Sequence, residues 1–247
     1  MIDKNNRRLL NDVEHLRGAY INPTDDEEIC QTGKIFPIVL VRYCHKSIVS
    51  NNKDNIFLQG GMIMHYYQTI ILKDGRSCTL RNGTSQDGRA ALNNFIITHM
   101  QTDFLLSYPD EITFNEKDEA DYLQKKADST NEIEILADID GKIVATAGIS
   151  CVGDKVKTRH RCEFGISIDK EYWGLGVGGA LTRACIECAK KAGYSQMELD
   201  VVADNESAIS LYKKAGFVEY GRNPNGFLSR VTGRQELLLM RLELEEV

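Results

Sequence analysis

Several things are missing from this sequence, and each absence removes a class of protein. No apolar run reaches the roughly 18 to 20 residues that a membrane-spanning helix needs, and the opening Met1-Ile-Asp-Lys-Asn-Asn-Arg-Arg is too polar for a secretory signal. Excess positive charge is missing too. A net charge of −6 and a pI near 5.5 argue against nucleic acid or an anionic membrane as the main partner. There is no internal repeat and no low-complexity tract. The seven cysteines are odd in number and scattered, which speaks against a disulfide framework and for a reducing, cytoplasmic compartment. What remains is a chain of 247 residues with 42% hydrophobic content, enough for one large domain, or one domain with an appended segment, that handles small molecules or cationic groups.

The most informative stretch runs from Glu163 to Ala192. An alternating strand, Glu163-Phe-Gly-Ile-Ser-Ile168, leads into a charged turn, Asp169-Lys-Glu-Tyr-Trp173, then Gly174-Leu-Gly-Val-Gly-Gly179 and a helix. The glycines leave backbone N–H groups uncovered just where a helix begins, and the positive end of that helix points back at them. The cluster therefore reads as a cradle for phosphate or pyrophosphate. Val177, Leu181, Ala184, Cys185, Cys188, Ala189 and Ala192 recur at helical spacing as one buried stripe, and Lys190, Lys191 and Gly193 close the helix. Cys185 and Cys188 lie inside that stripe and no second Cys or His pair follows, so they are expected to pack in the core and hold no metal.

Around this centre the chain divides in two. Residues 1–61 read as an N-terminal extension of weak intrinsic structure, dispensable, with a short helix over Asn6–Arg17 and an edge strand over Ile35–Tyr43; the functional domain is expected over 62–247. Gln68–Leu72 and Ser77–Arg81 form a hairpin about Asp74-Gly75. Thr84 and Asp87 open a helix with Ala91, Leu92, Phe95, Ile96 and His99 on its apolar face, and a second helix starts near Asn115. A second hairpin covers Glu132–Ala137 and Ile143–Cys151. After the central helix come a strand over Gln196–Val202, a helix capped by Asn205 and closed by Gly216, and terminal strands over Phe217–Gly221 and Leu237–Leu244. The segment between these, Arg222–Gln235, reads as a loop.

Gly174, Gly176 and Gly179 satisfy the dinucleotide spacing GxGxxG, with Asp200 about 20 residues on. The context does not fit, because five residues separate the strand from Gly174 and too little chain follows for a doubly wound sheet. A different pattern joins more of the sequence. Tyr172-Trp-Gly-Leu-Gly-Val-Gly-Gly-Ala-Leu181, the strand Met197-Glu-Leu-Asp-Val201, and Asn205-Glu-Ser-Ala-Ile-Ser-Leu-Tyr-Lys-Lys-Ala-Gly-Phe217 resemble the signature of the GNAT superfamily of acyl-CoA-dependent N-acetyltransferases. The order of strands and helices is similar to that family's, which implies an α/β (α+β) fold with a mixed, splayed central sheet flanked by helices. One departure stands out: the family's Gln or Arg that opens Q/R-x-x-G-x-G is Trp173 here, which removes a side-chain contact near the pyrophosphate.

The resemblance implies an acetyl-CoA-dependent acyltransferase that moves an acetyl group to a primary amine by direct attack. It places the coenzyme pyrophosphate on the amides of Gly174, Leu175, Gly176, Val177, Gly178 and Gly179, with Trp173, Asn205 and Tyr212 as further coenzyme contacts. The acetyl carbonyl is expected along Ile166, Ser167 and Ile168, with the N–H of Ile166 the candidate donor, and Tyr212 matches the family's general acid. Glu163 is the first candidate base, Asp200 the second and His160 the third. The acceptor is expected between Phe104–Phe114 and Arg222–Gln235, where Asp110, Glu111 and Glu116 would draw in a cation. Expected partners are acetyl-CoA and an amine, with a homodimer compatible with the family and neither nucleic acid nor membrane. The rival reading is a non-catalytic acyl-CoA-binding regulatory module.

Overall fold

A computed structural model describes residues 63–244. The expectations over Asn6–Arg17, Ile35–Tyr43 and the rest of residues 1–61 lie outside the described residues.

The first hairpin, β1 (Tyr67–Ile71) and β2 (Ser77–Asn82), turns at Gly75, whose φ of 89° belongs to the left-handed region. Thr84 and Asp87 do form a capping box, but around a single 3₁₀ turn, Ser85–Asp87, so helix α1 (Gly88–Gln101) starts one turn later. Its buried face is Ala91, Asn94, Phe95, Thr98 and His99, with Leu92 and Ile96 only half-buried. Gly88 lets α1 lie against α2 (Glu116–Ala127), since a Cβ there would sit 2.7 Å from that of Ala120. The Asn115 side chain caps α2 by accepting from the amides of Lys117 at 2.8 Å and Asp118 at 3.2 Å.

Strands β3 (Ile133–Ile139) and β4 (Lys142–Cys151) meet at Asp140-Gly141, both at positive φ, 51° and 82°, as a type I′ turn requires. Strand β5 (Arg161–Ile168) leads through a 3₁₀ turn, Lys170–Tyr172, to α3 (Val177–Lys191). Then follow β6 (Gln196–Val202), α4 (Glu206–Lys214), β7 (Val218–Ser229) and β8 (Gly233–Glu243). Among the described residues the strands form one eight-stranded sheet in the order β1-β2-β3-β4-β5-β6-β8-β7, antiparallel except where β5 meets β6. No described helix is long and apolar enough to cross a membrane.

The sheet has two unlike faces. Period-2 alternation directs Ile133, Ile135, Ala147, Ile149, Cys162, Phe164, Met197 and Leu199 into the main core with α3 and α4, where Cys185 and Cys188 are buried as expected. The opposite face meets α1 and α2 through a small apolar cluster, Ala91, Leu123, Leu136 and Ile143. Beyond that cluster it carries a row of polar side chains and glycines that ends at the site described below.

Arg222–Gln235 corrects the sequence reading, because it is mostly strand. β7 and β8 form one long hairpin with register shifts between Glu219 and Gly221 and between Asn223 and Phe227. These irregularities absorb the turn-forming residues, and β7 is the sheet's outer strand, so polar side chains on it face water at little cost. Gly226 is needed for a different reason: a Cβ there would stand 2.4 Å from Leu237 Cγ.

Candidate active site

The site begins with a pairing that stops. β5 and β6 are in register over only three pairs, Arg161 with Gln196, Cys162 with Met197 and Glu163 with Glu198. Beyond Glu163 the strands splay. On its other edge β5 stays paired with β4 through Ile168. There the Asp169 amide donates to the Val144 carbonyl at 2.9 Å and Arg161 O accepts from Val152 N at 3.1 Å, so the odd-numbered residues of β5 bond to β4. In an antiparallel ladder the even-numbered ones then turn their N–H and C=O to the splay. Ile166 is one of these, and the Trp173 indole N–H donating to Ile168 O at 2.8 Å shows the same polarity.

A cavity of about 620 Å³ runs through this gap and is lined from both faces of the sheet. Phe164, Leu199, Val201 and Tyr212 contribute from the α3/α4 side, and Glu163, Gly165, Ser167 and Asp200 from the α1/α2 side. It reaches Trp173, Gly174, Gly176, Gly178 and Gly179 at one end and Phe104, Leu105 and Leu106 at the other. Of the residues expected in the site, it brings together Glu163, Ile166, Ser167, Ile168, Trp173, the four glycines, Asp200, Asn205 and Tyr212. The side chains of Leu175 and Val177 pack instead against the core, so only their backbone belongs to the cradle. His160 is exposed and does not line the cavity.

The cradle is built from two kinds of glycine. Gly174 and Gly176 have φ of 75° and 104°, and a Cβ on either would meet nothing within 4 Å, so conformation is the constraint. Gly178 already belongs to α3 and is limited by space, since a Cβ there would lie 3.1 Å from Ile168 and 3.2 Å from Leu211. Gly176 is the N-cap of α3, so the first amides of the helix have no partner within it and carry its positive dipole end toward the cavity. The residue absent from the sequence reading is Lys73. Its amide donates to Leu175 O at 3.1 Å, pinning the β1–β2 turn to the cradle, and it lines the cavity. No local signal could reveal it, because the two segments lie about a hundred residues apart.

On the acid–base side, Glu163 is half-buried, and burial first, then the charges of Glu198 and Asp200, push its carboxyl up to about 7. Arg161 and Lys126 pull it back only in part, and the Arg161 guanidinium pairs bidentately with Glu198. Tyr212 is 7% exposed, set edge-on to Phe164 at 6.1 Å and tilted against Phe217 at 5.9 Å, and burial raises its phenol. Asn205 caps α4, accepting from Ala208 N at 3.2 Å.

The acceptor end differs from expectation. Asp110 and Glu111 do not line the cavity: they pair with Arg230 at 2.7 Å and 3.3 Å, and the Arg230 guanidinium stacks over Tyr108. Glu116 lies in the first turn of α2, also away from the cavity. Instead Asp103 ties the connector to the β7–β8 tip, accepting from Tyr108, Ser229, Thr232 and Gln235. The acids that do line the cavity are Glu134, Glu163 and Asp200. Glu134 had a signal in the sequence, a lone charge within the apolar strand Ile133-Glu-Ile-Leu-Ala137.

Residues 97–217 match the family described as acetyltransferase (GNAT). The chain is 36% identical over 95 residues to the L-amino acid N-acetyltransferase AaaT of Escherichia coli, covering 38% of this chain and 58% of that one, less than two thirds of its length. It is 31% identical over 105 residues to the ribosomal protein bS18-alanine N-acetyltransferase of Escherichia coli, covering 42% of this chain and 67% of that one. Among solved structures, an acetyltransferase of the GNAT family from Streptococcus pneumoniae superposes with a TM-score of 0.64 at 28% identity, over 68% of this chain and 99% of that one. A putative acetyltransferase from Salmonella typhimurium, solved with its cofactor acetyl-CoA, shares the fold at 18% identity and a TM-score of 0.60, over 69% and 95%. The mixed sheet that opens between β5 and β6, the glycine turn at the start of α3 and these likenesses agree, and the chain belongs to the acetyltransferase (GNAT) family.

Proposed function

We propose that the protein is an acetyl-CoA-dependent N-acetyltransferase acting on a primary amine by direct attack in a ternary complex. The observation that carries this reading is the cavity that passes through the β5/β6 splay, with an anion cradle on one face of the sheet and acidic side chains on the other. Acetyl-CoA would lay its pyrophosphate on the amides that open α3, with Lys73 beside it, and its thioester along the free edge of β5. The N–H of Ile166 would hold the carbonyl oxygen as it becomes an oxyanion.

The amine arrives protonated and gives one proton to Glu163, directly or through water. Its nitrogen then attacks the carbonyl carbon, the C–S bond breaks, the thiolate takes a proton from the Tyr212 hydroxyl, and the nitrogen's second proton returns to the Tyr212 oxygen through water as the amide forms, so that the net proton released is the one Glu163 passes to solvent. A phenol held above its ordinary range by burial is fully protonated at neutral pH, as a general acid must be. A carboxyl near 7 is half ionised there, as a base at physiological pH should be. The free thiols among the described residues agree with a cytoplasmic location.

The test is thiol release from acetyl-CoA against a panel of amines, for wild type and Tyr212→Phe, with coenzyme A binding by calorimetry alongside. Amine-dependent release that falls strongly in the variant is expected. Binding without release for any amine would mean a non-catalytic acyl-CoA-binding module.

A further inference from the structure

Two segments distant in sequence wall the acceptor end, and one carboxylate joins them. Thr102, Phe104, Leu105 and Leu106 line the cavity from the connector after α1, and Phe227 and Leu237 line it from the β7–β8 hairpin. Asp103 stands inside the first run without lining the cavity itself. Its half-buried carboxylate accepts from Tyr108 Oη at 2.9 Å on one oxygen. The other oxygen accepts from Ser229 Oγ at 2.6 Å, Thr232 Oγ1 at 3.0 Å and Gln235 Nε2 at 3.1 Å.

The direction of the three hydroxyls is fixed from behind. The Tyr108 hydroxyl accepts from Arg230 N at 2.8 Å, that of Ser229 from the amides of Val231 and Thr232 at 2.9 Å and 3.0 Å, and that of Thr232 from Gln235 Nε2 at 3.0 Å. Each hydroxyl has a single proton, and Asp103 is where it goes. Tyr108 also lies 3.2 Å from Ser229 Oγ, a longer contact to an uncharged oxygen. Four donors that converge on one group need an acceptor with no hydrogen of its own, which an ionised carboxylate is and an amide is not.

The hairpin offers the same face to Asp103 and to the cavity. Strand periodicity puts Phe227 with Ser229 on one side of β7 and Gln235 with Leu237 on one side of β8, and Phe227 pairs with Gln235 in the register. Whatever holds Asp103 therefore also holds the wall. The pairs of Arg230 with Asp110 and Glu111 lie outside this centre, exposed to water, where ion pairs add little. We propose that Asp103 is a positioning residue of the acceptor end: it makes the 102–106 run and the β7–β8 tip a single wall, and so sets the affinity for the amine without touching it. The inference rests on the acetyl-transfer reading above.

The experiment uses the full chain and three variants, Asp103→Ala, Asp103→Asn and Arg230→Ala. The probe is whichever of phenethylamine, phenylalanine amide and spermidine the wild type acetylates fastest. Loss of the charge-assisted bonds in Asp103→Ala should raise KM for the amine roughly tenfold, with kcat and KM for acetyl-CoA unchanged. Asp103→Asn keeps one acceptor oxygen and should fall between Asp103→Ala and wild type. Arg230→Ala leaves the backbone amide on Tyr108 in place and should match wild type. An unchanged amine KM in Asp103→Ala overturns the inference, and so does an equal rise in both KM values, which would mean general loosening. Arg230→Ala as damaging as Asp103→Ala would also overturn it, because the outer ion pairs would then hold the wall.

Hydrogen exchange followed by mass spectrometry tests the joint without turnover. In Asp103→Ala, peptides from 102–114 and from 223–236 should gain exchange together while 174–191 stays as in wild type. A gain in one of the two segments alone contradicts a shared wall. If no amine releases thiol while coenzyme A still binds, the acetyl-transfer reading fails. The calorimetric affinity of the same amines for the coenzyme complex then replaces KM: weaker binding in Asp103→Ala supports the inference, and the same binding as wild type sinks it.

Discussion

The two ends of the cavity are made in different ways. The coenzyme end is mostly backbone: the glycines at 174, 176, 178 and 179, the first amides of α3 and the unpaired edge of β5 all lie within Phe164–Gly179. The acceptor end is side chains, brought from α1, the 102–114 connector, α2, β3, β5, β6 and the β7–β8 hairpin. Backbone chemistry leaves a local trace, because a cradle needs particular residues at fixed spacing. A wall of side chains from many elements leaves almost none.

That contrast predicts how substitutions divide between the ends, and the largest effect belongs where the ends meet. Tyr212→Phe keeps the ring against Phe164 and removes only the hydroxyl, so it should lower kcat by roughly 10²- to 10⁴-fold with coenzyme affinity unchanged. If affinity falls as much as rate, Tyr212 belongs to the coenzyme end and the division is wrong.

Glu163→Gln should lower the rate most above pH 7 and erase the limb of the pH–rate profile that wild type is expected to show near pH 7, where the carboxyl ionises. The same residue makes a stability prediction. Its carboxyl is raised from 4.5 to about 7, so between these values the folded protein binds more protons than the unfolded chain and stability falls as pH rises. Above the window the full shift corresponds to about 3 kcal/mol, cut to roughly 1–2 kcal/mol by solvent on a half-exposed group. Urea unfolding should therefore find Glu163→Gln more stable than wild type at pH 8 and no different at pH 4. Equal stability at both would mean Glu163 is ionised without strain.

Lys73→Ala sharpens the comparison from the coenzyme side. Loss of a charge-assisted contact should raise KM for acetyl-CoA roughly tenfold. Neither kcat nor KM for the amine should change. An effect on the amine alone would put Lys73 at the other end.

The smallest effect expected is from removing residues 1–61. We propose that a chain starting at Met62 keeps the kcat and coenzyme affinity of the full chain. A loss of either would show that the extension is not dispensable.

Much of the fold was legible because its signals are local. The Asp140-Gly141 turn, the Asn115 and Asn205 caps, and the stripe from Val177 to Ala189 each follow from a few adjacent residues. The β7–β8 hairpin was not, because Gly226 and its neighbours read as loop residues until Leu237 is set across from them. The same limit hid Lys73 and misassigned the acceptor acids. Asp110 and Glu111 look free in the sequence, and their neutralising Arg230 lies more than a hundred residues away. Nor does the sequence show what Trp173 does in place of the family's Gln or Arg: its indole N–H donates to the Ile168 carbonyl at the end of the free strand edge.

The central claim is that both substrates occupy the cavity together, one from each face of the sheet. Initial velocities with acetyl-CoA and an accepted amine varied against each other test it most directly. Intersecting lines in the double-reciprocal plot, with no acetyl group left on the protein by acetyl-CoA alone, are what a ternary complex predicts. Parallel lines with a stable acetylated protein would contradict it, because they would mean that the first product leaves before the amine arrives.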